Sequence, residues 1–364
     1  MVEEIKIACL NCGLPYPNEG FPHVCPSCGG LFDYVSPWTF EPARLDRSQP
    51  GLWRYRHTFG LADEISALTL GEGNTPLVWS EAFGRRVAFK CEYTNPSGSF
   101  KDRGMAILLA ALKARGVTAA VEDSSGNAGA SFAAYAARAG IKGRVFAPES
   151  AAGPKRRQIE IYGAELVPVP GPRSAATDAV LKAVEQDAVY ASHAYLPYVL
   201  PGYATAAYEI WERVGGEVGA VVVPAGQGGL LLGIARGFQS MVNAGLLQKM
   251  PVMVGAQAAA CAPLVSLAER GVAEAGESAT LAEGVRTRDP LRKAAVVETV
   301  LHSGGRFVSV EEADILPGRD ELAHRGFYVE PTSALVWSAL EFTLSISPDP
   351  IVAVLTGSGL KYQG

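Results

Sequence analysis

From Trp53 onward, short apolar runs alternate with longer Ala-rich amphipathic stretches, and each run ends in a turn of Gly, Ser or Asn. That rhythm predicts strands taking turns with helices, an α/β fold whose sheets are open and mostly parallel. Strands are expected at 86–92, 119–122, 144–147, 165–169, 220–223, 253–256 and 351–355. Helices are expected at 102–115, 129–139, 155–162, 175–186, 205–214 and 230–242.

The chain has 364 residues, more than one core ordinarily organises, so two or three domains are expected. Hydrophobic residues make up 48% and charged residues 19%, the balance of a folded enzyme and far from that of a disordered chain. The formal charge is -5 and no run of Lys or Arg gathers on one segment, which argues against a nucleic-acid partner. Glu3 and Glu4 stand where a secretory leader carries bases, and no uninterrupted apolar stretch reaches membrane-spanning length. A cytoplasmic protein without a membrane partner is the expectation.

Residues 1–36 have a different texture and carry four of the six cysteines. Cys9-x-x-Cys12 and Cys25-x-x-Cys28 are two knuckles separated by twelve residues, close to the spacing of a four-thiolate zinc ribbon. A module this short cannot bury enough apolar surface to fold without a staple. Disulfides are the competing reading, and the expected reducing compartment favours zinc. Four sulfur ligands leave no open position, so such a zinc is structural. His23 is close enough in sequence to replace a ligand, although a loop histidine is the plainer reading. Cys91 and Cys261 sit in apolar contexts and read as ordinary buried thiols.

Four further segments carry chemistry only when taken together. Lys101 follows the turn-forming NPSGS at a helix start, where Ser97 or Ser99 can cap and the positive end of the helix dipole favours a neutral, nucleophilic amine. Ser124-Ser125-Gly126-Asn127 lies between a strand and a helix, suited to a carboxylate or a ring oxygen. Gly226-Gln227-Gly228-Gly229-Leu230 has the same placement and suits a phosphate. It does not follow the dinucleotide spacing of glycines, and the ATP-type phosphate loop is absent from the sequence. Ser358 lies in a turn after the last strand candidate, where a hydroxyl can meet the edge of a heterocycle. Each segment alone is a cap, a turn or a solvated lysine.

In order, GEGNTPL (71–77), NPSGSFKDRG (95–104), SSGNAGAS (124–131), PAGQGGLL (224–231), AEGVR (282–286), EPTSA (330–334) and TGSGLK (356–361) resemble the fold-type II (tryptophan synthase beta) pyridoxal phosphate enzymes, most closely their threonine synthase branch. The resemblance runs from about Trp53 to the end, and an N-terminal cysteine ribbon also occurs in that branch. It implies two α/β domains, a large one from 37–97 with 201–364 and a small one at 98–200, usually paired as a homodimer. It also implies that Lys101 holds pyridoxal 5'-phosphate as a Schiff base and shuttles protons, while Phe100 packs beside the cofactor ring. By the same resemblance Asn127 bonds the ring hydroxyl, and Ser124, Ser125, Gly126 and Asn127 receive the substrate carboxylate. Gly226, Gln227, Gly228, Gly229 and Leu230 bind the cofactor phosphate, and Ser358 faces the pyridine nitrogen. A neutral hydroxyl there gives a weaker electron sink, suited to elimination and replacement.

The activity implied is a lyase step of amino-acid biosynthesis, O-phospho-L-homoserine and water to L-threonine and phosphate. The sequence departs from that branch between Ser192 and Gly202. Where the family commonly shows a serine, an asparagine and an arginine for the substrate phosphate, this chain has Ala194, Leu196 and Val199. His193 can offer a donor instead, although a lone histidine among Tyr195, Pro197 and Tyr198 is more often a structural residue. The departure motivates an alternative, β-elimination or β-replacement on a serine-, cysteine- or diaminopropionate-like amino acid.

Overall fold

The computed structural model describes residues 6–150, 153–276 and 278–362. Glu3 and Glu4 lie outside the described residues. The strands are β1 Ile7–Cys9, β2 Phe32–Tyr34, β3 Leu77–Ala82, β4 Arg85–Lys90, β5 Ala119–Glu122, β6 Lys142–Pro148, β7 Glu165–Val169, β8 Val189–Tyr190, β9 Ala220–Pro224, β10 Val252–Ala258, β11 Arg306–Val310 and β12 Ile351–Val354. The α-helices are α1 Lys101–Ala114, α2 Asn127–Ala139, α3 Pro154–Ile161, α4 Arg173–Val184, α5 Val199–Val214, α6 Gly229–Asn243, α7 Pro263–Arg270, α8 Lys293–His302, α9 Glu312–His324 and α10 Pro331–Ile346. No helix among the described residues is long and apolar enough to cross a membrane.

The chain forms two compact units. One comprises the described residues up to Glu72 together with Lys101–Gly202. It holds the four-stranded sheet β7-β6-β5-β8, parallel throughout, and the antiparallel pair β1-β2. Helix α1 is buried from Asp102 to Leu112, on every face, as expected of a helix whose residues are apolar nearly all round. The cysteine module is built into this unit and does not hang from it. Arg115, just past the end of α1, donates to the carbonyls of Pro17 and Gly20 at 3.0 and 3.1 Å and to the Tyr198 hydroxyl at 3.0 Å. Its guanidinium lies 4.6 Å over the Phe21 ring, and Tyr16 meets Tyr198 edge to face.

The other unit comprises Gly73–Phe100 with Tyr203–Tyr362 and holds the six-stranded sheet β11-β10-β9-β12-β4-β3. All of its strand pairs are parallel except β3 with β4. The central strands AVVVP and IVAV are buried at every position, which is why they read as continuous apolar runs. α10 contributes Ala334, Leu335 and Val336 to the core formed with Val222, Val254 and Ala353. β3 joins β4 through Phe83 and Gly84, both at positive φ (51° and 72°), the two-residue hairpin turn whose twist suits antiparallel strands.

The seven expected strands, found as β4, β5, β6, β7, β9, β10 and β12, and helices α1 to α6 match the structure to within a few residues, except at the start of α5, while the sequence predicts neither β8 nor β11. That helix begins at Val199, six residues ahead of the expected 205, because Pro201 falls in its first turn, where a missing N–H costs nothing. The sequence periodicity predicts no element within 263–346, where α7 to α10 and β11 lie.

A buried ion pair organises the second unit. Lys90 Nζ, on β4, donates to Glu209 Oε2 of α5 at 2.6 Å and to the Thr75 carbonyl at 2.8 Å. Glu209 Oε1 accepts the Asn74 amide at 2.7 Å. The two side chains are 0% and 2% exposed. Glu209→Ala would leave Lys90 charged in the core and should cost about 3–5 kcal/mol. A lower thermal midpoint checks this, and the paired change Lys90→Met/Glu209→Leu should recover much of the loss.

Candidate active site

In the first unit Lys101 is the opening residue of α1 and half-buried, followed at once by fully buried Asp102 and Arg103. Ser131 of α2 donates to Asp102 Oδ1 at 2.6 Å, so the starts of α1 and α2 lie side by side. Ser124, Ser125, Gly126 and Asn127, all half-buried, therefore approach the helix that Lys101 begins. Gly126 caps α2 and donates its amide to Ser124 Oγ at 3.2 Å. The loop rests directly on Gly129, since a Cβ there would fall 1.8 Å from the Ser124 carbonyl oxygen. The segment 192–202 ends against α1 as well: a Cβ on Gly202 would sit 2.1 Å from the Arg103 carbonyl oxygen.

Two acids that precede this loop have no role assigned by the sequence analysis. Burial pushes the Asp123 carboxyl up, but the Arg173 guanidinium at 2.9 Å and the Thr177 hydroxyl at 2.7 Å bring it below the usual carboxylate range. Glu122 is fully buried, accepts the Ser124 amide on Oε2, and lies 2.8 Å from His193 Nδ1 on Oε1. The available signal is two consecutive acids closing an otherwise apolar strand.

In the second unit the remaining motif segments converge. Gly228 is left-handed (φ 77°) as the cap of α6, and a Cβ on Gly226 would lie 2.9 Å from Val285 Cα. The turn 226–230 thus presents backbone at the start of a fifteen-residue helix, with no room for side chains at those two glycines. Gly284 donates to Thr332 Oγ1 at 3.0 Å, and Ser333 Oγ accepts the amides of Thr356 and Gly357 at 3.0 and 2.9 Å. The Phe100 amide donates to the Thr356 carbonyl, and the Ser358 amide to the Gly98 carbonyl, each at 3.0 Å. Phe100, the 226–230 turn and Ser358 belong to this one network. The Phe100 ring packs on Tyr203 at 5.2 Å. Among the described residues the buried Ser99 hydroxyl has no hydrogen-bond partner, so it does not cap α1 as its position would suggest.

The four cysteine sulfurs of the ribbon lie within 4.8 Å of one another. Cys9 to Cys28 is 3.5 Å and Cys12 to Cys25 is 3.7 Å. A tetrahedral site with zinc–sulfur bonds of about 2.3 Å has edges of about 3.8 Å, so the donor set fits. Each knuckle is closed by a glycine amide, Gly13 to the Cys9 carbonyl at 2.9 Å and Gly29 to that of Cys25 at 2.8 Å. Burial raises the Cys9 thiol, but the amides of Cys12 and Asn11 and the neighbouring thiols outweigh it and hold it at about 6. His23 takes no part; its ring packs on Tyr195 at 5.1 Å and Tyr190 at 5.6 Å.

A profile of the family described as "Pyridoxal-phosphate dependent enzyme" matches residues 68–357. The threonine synthase of Methanocaldococcus jannaschii is 31% identical across 97% of this chain and 92% of its own length. That of Methanosarcina acetivorans is 28% identical across 98% and 92%. Among solved structures, a threonine deaminase from T.th. superposes with a TM-score of 0.69 at 27% identity, over 80% of this chain and 94% of that one. Maize serine racemase, at 23% identity and a TM-score of 0.70 over 78% and 88%, shares the fold.

Because Gly129 has no space for a side chain, Gly129→Ala must displace the Ser124–Asn127 loop. It should cost about 1–3 kcal/mol, read as a lower thermal midpoint.

Proposed function

Since the chain belongs to the pyridoxal-phosphate dependent enzymes, we propose that it is a threonine synthase-like lyase acting on O-phospho-L-homoserine and water to give L-threonine and phosphate. The observation that carries the reading is Lys101 at the start of α1, within the SFKDRG segment and beside the Ser124–Asn127 loop, in a chain similar to threonine synthases over nearly its whole length.

Bound pyridoxal phosphate supplies an electron sink for the α-carbon of an amino acid. The residues present suit it: a glycine-rich turn at the start of α6 whose Gly226 and Gly228 leave no room for side chains, for the phosphate, and a buried hydroxyl at Ser99, without a hydrogen-bond partner among the described residues, two positions before the lysine. In this reading Gly226–Leu230 hold the phosphate through backbone amides, Asn127 the ring hydroxyl, and Ser358 the ring nitrogen, with Phe100 against the ring. Lys101 holds the cofactor through its ε-amine and moves protons at the α and β carbons. Ser124, Ser125, Gly126 and Asn127 take the substrate carboxylate at the positive end of α2. Phosphate departs from the γ carbon and water adds at the β carbon. The cysteine ribbon holds a structural zinc.

One observation favours a second reading. Leu196 and Val199 are 0% and 2% exposed, and with Ala194 they offer no charge or hydroxyl to a substrate phosphate. That suits β-elimination or β-replacement on a serine-, cysteine- or diaminopropionate-like amino acid. The likeness to a threonine deaminase is in keeping with it.

Phosphate release from O-phosphohomoserine, followed with wild-type protein and Lys101→Ala, separates the readings. The first expects release that falls at least about 10³-fold in the variant, together with loss of the cofactor's visible absorbance. Pyruvate or ammonia from serine-like substrates without threonine formation supports the second. For the ribbon, Cys12→Ser should remove zinc from the purified protein by elemental analysis and lower its thermal midpoint while leaving the visible absorbance in place.

A further inference from the structure

Glu122 ends β5 with no solvent exposure, an unfavourable place for a carboxylate unless both oxygens are bonded. Both are, one by the Ser124 amide and the other by His193 Nδ1 at 2.8 Å. One carboxylate thus ties together the Ser124–Asn127 loop, assigned above to the substrate carboxylate, and the 192–202 segment, which stands where the resembled family holds the substrate phosphate. An ionised carboxylate only accepts, so Nδ1 donates its proton and Nε2 becomes the ring atom available for chemistry. Among the described residues no second hydrogen bond reaches the His193 ring, and its side chain is 15% exposed. The ring is held on one side and open on the other.

Among the side chains of residues 192–199, an imidazolium is the strongest acid. Ala194, Leu196 and Val199 have no exchangeable side-chain proton, and the Ser192 hydroxyl, which accepts the amides of Ala194 and Tyr195 at 3.3 Å, is an aliphatic alcohol and a far weaker acid than an imidazolium. The Tyr198 phenol accepts from Arg115 at 3.0 Å, and burial pushes it above the ordinary tyrosine range, so it is a poor proton donor. A carboxylate behind an imidazole fixes its orientation and offsets the charge of the imidazolium that a proton donor must be.

Resting on the reading above, we propose that His193 is the general acid that protonates the departing phosphate, with Glu122 as its positioning residue. As Lys101 removes the β proton, that electron pair forms the Cβ=Cγ bond. The Cγ–O bond breaks, and its pair remains on the phosphate oxygen, which takes the Nε2 proton. The neutral imidazole regains a proton from water at its exposed edge. The substrates served are those whose leaving oxygen is protonated as it departs.

The test sets O-phosphohomoserine against L-vinylglycine, which already has the β–γ double bond and no group to lose. In His193→Gln, kcat for phosphate release should fall about 100-fold with little change in KM, while vinylglycine hydration to threonine keeps its wild-type rate. Glu122→Gln should show the same split to a smaller degree. Visible absorbance and thermal midpoint report that cofactor and fold are intact, and His193→Asn serves if the first variant does not fold. Equal losses on both substrates, or no loss on either, overturn the proposal. If the wild-type protein forms threonine from neither, the threonine synthase reading falls on its own. L-serine against β-chloro-L-alanine, whose chloride leaves without a proton, then decides the role of His193: a loss on serine alone sustains it, and equal rates remove it.

Discussion

The buried Lys90–Glu209 pair is the interaction on which the second unit depends. Removing two charges from water costs several kcal/mol each, and contact alone rarely compensates. Here the remaining lone pairs and protons are used as well, through the Thr75 carbonyl and the Asn74 amide. The pair therefore joins helix α5 to strand β4 and the GEGNTPL loop, which lie 119 and 135 positions earlier in the chain at the bonded residues. A second buried set continues from it. Thr75 donates to Glu92 at 2.7 Å, Asn95 donates to Glu92, and the Gly73 amide donates to Asn95 at 3.0 Å. Glycine-rich segments that carry little packing of their own are thus held by charge-assisted bonds. The loop that leads to Lys101 starts from this anchored frame.

Much of this architecture was legible because its signals are strong and local. Strands β5, β7, β9 and β12 are apolar runs closed by small residues, and α1, α2 and α6 start where glycine, serine or asparagine leave backbone groups unpaired. The region 263–346 stayed unread for a physical reason. α10 is apolar on most faces, and α9 has Pro317 inside it, so neither shows the one-sided periodicity of a surface helix. β3 was missed because its exposed and half-buried residues form an edge strand, defined by the Phe83–Gly84 turn more than by its own composition.

The site divides in the same way. Segments such as PAGQGGLL and TGSGLK are recognisable because close backbone approach demands glycine and small hydroxyls, and that demand is written in the sequence. The contacts that join them, Thr332 to Gly284 and Ser333 to the 356–357 amides, come from residues that look ordinary in isolation. Glu122 and His193 are seventy-one positions apart, and nothing local announces their hydrogen bond. An acid at the end of an apolar strand shows only that a partner must exist, because a buried charge cannot stand alone.

The order of strands in the six-stranded sheet governs how the protein is made. β4 has β12 as its inner neighbour, so residues 85–90 wait for residues 351–354 before that face of the sheet can close. On a ribosome the four-stranded sheet of the first unit and then β9, β10 and β11 emerge in between. β4 and β3 must persist meanwhile as an isolated hairpin, a structure of marginal stability in water. Contacts of such long range fold slowly and leave apolar edges uncovered for longer. Nascent chains interrupted before the last strand accordingly keep the inner edge of β4 unpaired, the kind of edge that invites aggregation.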